Sequence, residues 1–360
     1  MSNRVESLVE LLPGAGVDVL AVTSLVNVRY LTGYSGSNGL ALVGSDTRTF
    51  MTDFRYLEQA AEEVDDSFAR VTVEAPRDLL DLVEDALGAG ELRVGFEAEH
   101  LSVGQHERFR ESLPSRVELV GCHGLVEGLR AVKGPEEVER IKAATALADA
   151  SFERLLREGI VGRTEREVAR ALETYMGSIG AERASFDTIV AAAAHSALPH
   201  AQPRDVVITP GDLVVIDWGA LLDGYCSDCT RMVAVGDPGA EASEIYELVL
   251  EAQLAGVQAV AAGRGCVNVD QVARDVIEAG GHGGEFGHGL GHGVGLDVHE
   301  APRLSQRAGD EQLVAGNVVT VEPGVYLPGR FGVRIEDLVV VTGDGCEILT
   351  SVPKRLMVVD

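Results

Sequence analysis

Several acidic residues of this sequence fall where a β-strand would bury them. Asp217 ends the apolar run Val214-Val-Ile-Asp-Trp-Gly, and an unpaired carboxylate there would be expensive to bury. Asp228 lies in Gly224-Tyr-Cys-Ser-Asp-Cys-Thr-Arg, after the turn signal Asp223-Gly224. Two strands joined by that turn predict a hairpin across which Asp217 and Asp228 face each other. Like charges so placed repel unless a cation sits between them. The competing reading is a surface hairpin with solvated acids.

Two more acids repeat the theme. Glu322 closes Val318-Val-Thr-Val-Glu-Pro-Gly, an apolar strand followed by a Pro-Gly turn signal, and Glu336 lies inside the strand-like Val333-Arg-Ile-Glu-Asp-Leu-Val-Val-Val. Alternation places Arg334 and Glu336 on one face. Alone, each acid could serve a structural salt bridge. Histidines cluster in Gly287-His-Gly-Leu-Gly-His-Gly-Val-Gly-Leu-Asp-Val-His-Glu. Its glycines allow close backbone approach and aim His288, His292 and His299. The segment does not follow a strand within a βαβ unit, so a phosphate-cradling loop is disfavoured. Two Asp, one His and two Glu, on or beside strands, suit a pair of Mn²⁺, Co²⁺, Fe²⁺ or Zn²⁺ ions bridged by carboxylates. Cys226 and Cys229 form a lone CxxC within a predicted strand, where they point to opposite faces. They read as small buried residues rather than zinc ligands.

The elements that must position these residues come in two blocks. The chain has 360 residues, enough for two or three domains. In the first part, strand-like runs at 18–23, 40–43, 49–52 and 92–96 alternate with a helix over 56–64, as in a compact α/β domain. The pattern shifts near Gly128, giving expected domains at 1–127 and 128–360. A long helix opens at Pro135, with apolar positions at three- and four-residue steps, and ends at Gly159. A second starts after Gly162 with the capping box Thr164…Glu167, and a third spans about 242–262. Strands are expected at 213–217, 225–235, 318–322 and 333–341. Helices and strands in blocks predict an α+β second domain.

Acidic residues outnumber basic ones 57 to 30, a formal charge of −27, which argues against a nucleic-acid or anionic-membrane partner. No stretch approaches the roughly 20 apolar residues of a membrane span. The N-terminal residues do not read as a signal peptide. Five scattered cysteines suggest reduced thiols in a cytoplasm.

These residues resemble the pita-bread metallopeptidases, specifically the proline-peptidase branch of aminopeptidase P and Xaa-Pro dipeptidase (prolidase). The resemblance implies a pita-bread catalytic domain after a smaller creatinase-type α/β domain, the latter through Asn27-Val-Arg-Tyr-Leu-Thr-Gly-Tyr-Ser-Gly-Ser and Met51-Thr-Asp-Phe-Arg-Tyr-Leu-Glu-Gln-Ala. It places two metal ions, Mn²⁺ foremost with Co²⁺ or Zn²⁺ as alternatives, on Asp217, Asp228, His292, Glu322 and Glu336. It assigns catalytic roles to His200 (in Ser196-Ala-Leu-Pro-His-Ala), His288, His299, Glu322 and Arg334. The implied activity is hydrolysis of the Xaa-Pro bond at a peptide N-terminus. A strict dipeptidase is the alternative, and a catalytically silent peptide-binding module on the same fold the third reading. A homodimer is also implied.

Overall fold

The computed structural model describes residues 2–74 and 77–360; Met1, at the head of the segment read above for a leader, lies outside them. The chain folds as two units, Met1–Arg130 and Ala131–Asp360.

The first unit runs α1 (Ser2–Ala15), β1 (Val19–Val22), α2 (Leu25–Thr32), β2 (Leu40–Gly44), β3 (Arg48–Asp53), α3 (Leu57–Glu63), β4 (Ala69–Val73), α4 (Val83–Ala86), β5 (Leu92–Glu97), α5 (Val103–Ser112), β6 (Val117–Cys122) and α6 (Leu125–Ala131). Its sheet has the order β4-β3-β2-β1-β5-β6. β1, β2 and β3 pair antiparallel, and β4, β5 and β6 join in parallel. β1 and β2 are buried at every position, which is why they read as unbroken apolar runs rather than alternating ones.

The second unit begins with α7 (Pro135–Glu158) and α8 (Glu165–Ser178). Both start where their caps require: Pro135 at the first helical position, and Thr164 accepting from Glu167 N–H while the Glu167 carboxylate returns to Thr164 N–H. There follow β7 (Arg183–Ala184), β8 (Ile189–Ala192), β9 (Leu213–Trp218), β10 (Ala220–Leu222), β11 (Tyr225–Cys226), β12 (Cys229–Val235), α9 (Ala240–Ala259) and α10 (Cys266–Ala279). The chain closes with β13 (Gly291–Gly293), β14 (Glu300–Leu304), β15 (Val318–Val321), β16 (Gly324–Leu327), β17 (Phe331–Arg334), β18 (Asp337–Val341), β19 (Cys346–Ile348) and β20 (Met357–Val359).

Two larger sheets, β20-β12-β9-β8 and β14-β13-β15-β18-β19, carry the site. Alternation sorts their residues. Val214, Ile216 and Trp218 of β9 pack with α7 and α8, where Trp218 stacks on Phe152 at 4.2 Å between centroids and donates to Ala148 O at 2.9 Å. Leu213 and Val215 face the other way, into a core shared with α9, α10, β15 and β18. Asp217 shares their parity, so it points between the layers.

The structure departs from the sequence reading in several places. In the hairpin, Asp217 pairs with Thr230, not with Asp228. Asp228 lies two residues further along the same face, because the register that joins β9 to β12 continues through β10 and β11. The expected strand 225–235 breaks at 227–228, and the strand 333–341 breaks at 335–336. Pro323-Gly324 is not a tight turn but leads straight into β16. The third helix stops at Ala259, and α10 follows it, a helix that the sequence reading did not anticipate.

Candidate metal centre

The breaks in the ladders fall at the acids. Asp228 sits between β11 and β12, Glu322 between β15 and β16, and Glu336 between β17 and β18. Leaving the ladder frees each side chain from strict alternation and lets them converge with Asp217 and His292. One ligand atom each of Asp228, His292 and Glu336 lies within 4.8 Å of the others. His292 Nε2 is 3.3 Å from Glu322 Oε1 and 3.6 Å from Asp228 Oδ2. Its Nδ1 donates to Gly293 O at 3.1 Å, so that in the neutral ring Nε2 is the nitrogen whose lone pair would face the acids.

β13 can hold His292 there because its glycines are pressed against neighbouring backbone. A Cβ on Gly291 would lie 2.0 Å from Thr320 O, and one on Gly293 2.2 Å from Ala301 O. This is a close approach that only glycine permits. Thr320 Oγ1 also accepts from His292 N–H at 3.0 Å.

Arg334 braces the other side. Its Nη2 donates to Asp217 Oδ2 at 2.6 Å, its Nε to Thr230 Oγ1 at 3.0 Å, and its Nη1 to Tyr326 Oη at 2.9 Å and Pro199 O at 3.2 Å. With Oγ1 accepting from Arg334, the Thr230 proton goes to Glu336 Oε2, 2.6 Å away. Likewise Tyr326 donates to His288 Nε2 at 3.0 Å, while His288 Nδ1 donates to Gly289 O at 2.8 Å. Both ring nitrogens of His288 are thereby engaged. Asp217 and Glu336 each have one oxygen held and the other, Oδ1 and Oε1, buried without a hydrogen-bond partner.

The electrostatics follow. Burial, then Glu336, Asp217 and Glu322, pushes Asp228 well above the usual carboxylate range. Burial and Glu322 raise Asp217 against the pull of Arg334, and burial with Glu322 and Asp217 raises Glu336 well above its ordinary value. Glu322 goes the other way: burial opposes ionisation, but the hydrogen bond and charge of His292 bring it down to about 2. His292 is raised, its burial outweighed by Glu322. Burial lowers His288, and burial with the His292 charge lowers His299. Four clustered carboxylates, two of them with a bare buried oxygen, and one oriented imidazole fit divalent cations, which would relieve that repulsion.

The remaining expected residues surround this cluster. The His299 ring lies 4.3 Å from the His292 ring, between centroids. His200 follows Pro199, whose carbonyl meets Arg334. Thr230, Thr320 and Tyr326 escaped the sequence reading. Their positions two residues after Asp228, two before Glu322 and four after Glu322 were visible, but hydroxyls on strands carry no spacing signal of their own. Cys226 and Cys229 are buried and free, and burial pushes both thiols up, Cys226 to about 12.

This fold and cluster place the chain in a known class. Residues 139–343 match the model of metallopeptidase family M24, and residues 4–132 that of the creatinase/prolidase N-terminal domain. The chain belongs to metallopeptidase family M24, with a creatinase N-terminal domain preceding a pita-bread catalytic domain. It is 38% identical to the Xaa-Pro dipeptidase of Pyrococcus furiosus over 360 residues, covering 99% of this chain and 100% of that one. Among solved structures, it resembles an Xaa-Pro dipeptidase from Bacillus anthracis with a TM-score of 0.95 and 40% identity, 99% of each chain being covered. It also resembles an X-Pro aminopeptidase from Thermotoga maritima with a TM-score of 0.89 and 37% identity, covering 99% of this chain and 100% of that one.

Proposed function

We propose that this protein is a dinuclear metal hydrolase that cleaves Xaa-Pro dipeptides. The observation that carries the chemistry is the convergence of Asp228, His292 and Glu336 ligand atoms within 4.8 Å, beside buried and bare oxygens of Asp217 and Glu336. The dipeptide preference rests on similarity to the two Xaa-Pro dipeptidases, which supports the dipeptidase alternative better than the aminopeptidase reading favoured from sequence. The Thermotoga maritima X-Pro aminopeptidase keeps the second reading in view.

Asp217, Asp228, His292, Glu322 and Glu336 would hold the two ions, and this donor set suits Mn²⁺ or Co²⁺, with Zn²⁺ also accommodated. Bound there, such ions would polarise the scissile carbonyl and supply activated water near neutral pH. The chain's own groups do the rest. Arg334 keeps one Asp217 oxygen occupied and the other presented. Glu322 holds a proton in transit and delivers it to the leaving proline nitrogen. His299 and His200 donate to the developing oxyanion. His288, with both nitrogens engaged, steadies Tyr326 and through it Arg334. The tertiary amide before proline has no N–H, and none of these roles requires one.

The test is a substrate-length series with defined metal loading. Hydrolysis of Xaa-Pro dipeptides but not Xaa-Pro-Yaa peptides supports the dipeptidase; efficient cleavage of the longer peptides supports the aminopeptidase. Cytoplasmic residence and homodimeric assembly complete the proposal. The five free cysteines, four of them buried, fit a reducing compartment, and sedimentation velocity checks the dimer.

A further inference from the structure

Glu165 opens α8, far from the five candidate ligands in sequence, and is fully buried. Its carboxylate accepts from Ala192 N–H and Arg204 N–H, each at 2.9 Å, from His195 Nδ1 at 3.0 Å, and from Arg204 Nε and Nη2 at 3.3 Å. Residues 192 and 204 are the two ends of one excursion of the chain. Between them run the short 3₁₀ turn Ala193–Ala197 and an irregular stretch with no strand. One carboxylate therefore ties the neck of an Ω-type loop.

Three further observations show a loop held in a defined shape. Ala193 begins it at φ 50°, in the left-handed region that costs a residue with a Cβ and persists only where the surroundings enforce it. Ser196 Oγ accepts from Gly332 N–H at 2.8 Å, and Pro199 O accepts from Arg334 Nη1 at 3.2 Å. The loop thus ends its reach beside the candidate metal centre, where Arg334 also holds Asp217, with His200 next in sequence after Pro199. None of the five candidate ligands lies on it. Burial pushes the Glu165 carboxyl up, but the bonds from Arg204, Ala192 and His195 prevail and hold it below its ordinary range.

We propose that Glu165 is a positioning residue that acts through His200: by closing the 192–204 neck it sets the imidazole against the reacting carbonyl without taking part in metal binding. The proposal rests on His200 being an oxyanion donor. It separates two functions that share one site, since the candidate ligands come from strands and the breaks between them while His200 comes from a loop anchored at a helix start. Glu165→Gln would set an amide NH₂ against a cage made wholly of donors, opening the neck.

The test is a double-mutant cycle on the full-length protein. Glu165→Gln, His200→Ala and the combined variant are assayed for kcat and KM on an Xaa-Pro dipeptide, and for Mn²⁺ affinity by calorimetric titration of the metal-free protein. Either single change should lower kcat by about 10²-fold, the scale of one oxyanion donor, with KM moving less. The combined variant should be no slower than His200→Ala alone, because a residue acting through another adds nothing once that other is gone. Mn²⁺ affinity should match the parent in all three. Multiplicative losses in the combined variant, or loss of Mn²⁺ binding by folded Glu165→Gln, would overturn the coupling. Full kcat in His200→Ala would overturn the donor reading itself, and the proposal with it. Should Glu165→Gln not fold, Arg204→Met loosens the same neck from its half-exposed side; a kcat loss that disappears in the His200→Ala background supports the proposal, and unchanged kcat refutes it.

Discussion

At the scale of single residues, His292 and His299 are rings 4.3 Å apart with separable duties. His292 Nε2 faces two carboxylates, whereas among the described residues His299 forms no ion pair with an acid and meets His292 ring to ring. His292→Ala should lose both metal and rate. His299→Ala should keep its metal and lower kcat by roughly 10²–10³, with a smaller change in KM. Metal analysis with steady-state kinetics separates them, and the reverse pattern would exchange the two assignments. The acids make a second prediction. Asp228→Asn or Glu336→Gln should abolish metal binding yet leave the metal-free fold intact, because each removes a charge that its neighbours push toward neutrality. Circular dichroism beside metal titration checks this, and unfolding of both variants would point to structural salt bridges instead.

At the scale of elements, three of the five candidate ligands, Asp228, Glu322 and Glu336, sit where strands stop. A sequence pattern shows alternation well, and Val333 to Val341 reads as one strand; that the ladder lapses at Ile335 and Glu336 depends on tertiary partners such as Thr230, whose carbonyl accepts from Glu336 N–H at 3.2 Å. Residue types and spacing made the acid and histidine clusters legible, as did the caps of α7 and α8. α10 was not legible for an opposite reason. Cys266, Val269, Ala273 and Ile277 follow a helical period and are buried, but the segment is rich in valine and starts at Gly265 without a side-chain cap, so propensity masks it. What α10 does is local: Asp270 accepts from Leu290 N–H at 2.9 Å, and Arg274 Nη2 donates to His288 O at 2.8 Å, steadying the glycine segment. That segment gives the element-scale prediction. Gly291→Ala should destabilise the protein by about 1–3 kcal/mol through overpacking against β15 and weaken metal binding by shifting His292. Thermal melts with and without Mn²⁺ should show both losses, and a variant with parental behaviour would mean that β13 has room to move.

At the scale of the whole molecule, the candidate metal centre gathers like charges, which predicts a pH dependence of stability. Asp217, Asp228 and Glu336 have folded-state values raised above their ordinary 3.8, 3.8 and 4.5. The folded, metal-free protein therefore binds more protons than the unfolded chain once pH exceeds about 4, and stability falls as pH rises from there. Glu322, brought down to about 2, contributes the opposite way: its stability is present above its unfolded value and lost as pH falls through about 2. Melting temperatures in chelator should thus decline from about pH 4 toward neutrality, and added Mn²⁺ should restore more at pH 8 than at pH 5. A flat chelated profile would contradict that dependence. In the same preparations hydrolysis should vanish with chelation and return with Mn²⁺ or Co²⁺. Among the described residues no helix is long and apolar enough to cross a membrane.

The buried guanidinium of Arg231 joins distant parts of the catalytic unit. It donates to Asp337 Oδ1 at 2.8 Å, to Glu336 O, and to Val352 O at 2.7 Å and Pro353 O at 3.2 Å, while Lys354 Nζ reaches Asp337 Oδ2 at 2.7 Å. β20 then lies parallel beside β12. Trimming the chain after Thr350 would leave that guanidinium facing vacated carbonyl positions, one residue from the strand break that aims Glu336. Removing residues 351–360 should therefore weaken metal retention although none of the five candidate ligands is touched, and metal analysis of the shortened variant checks this.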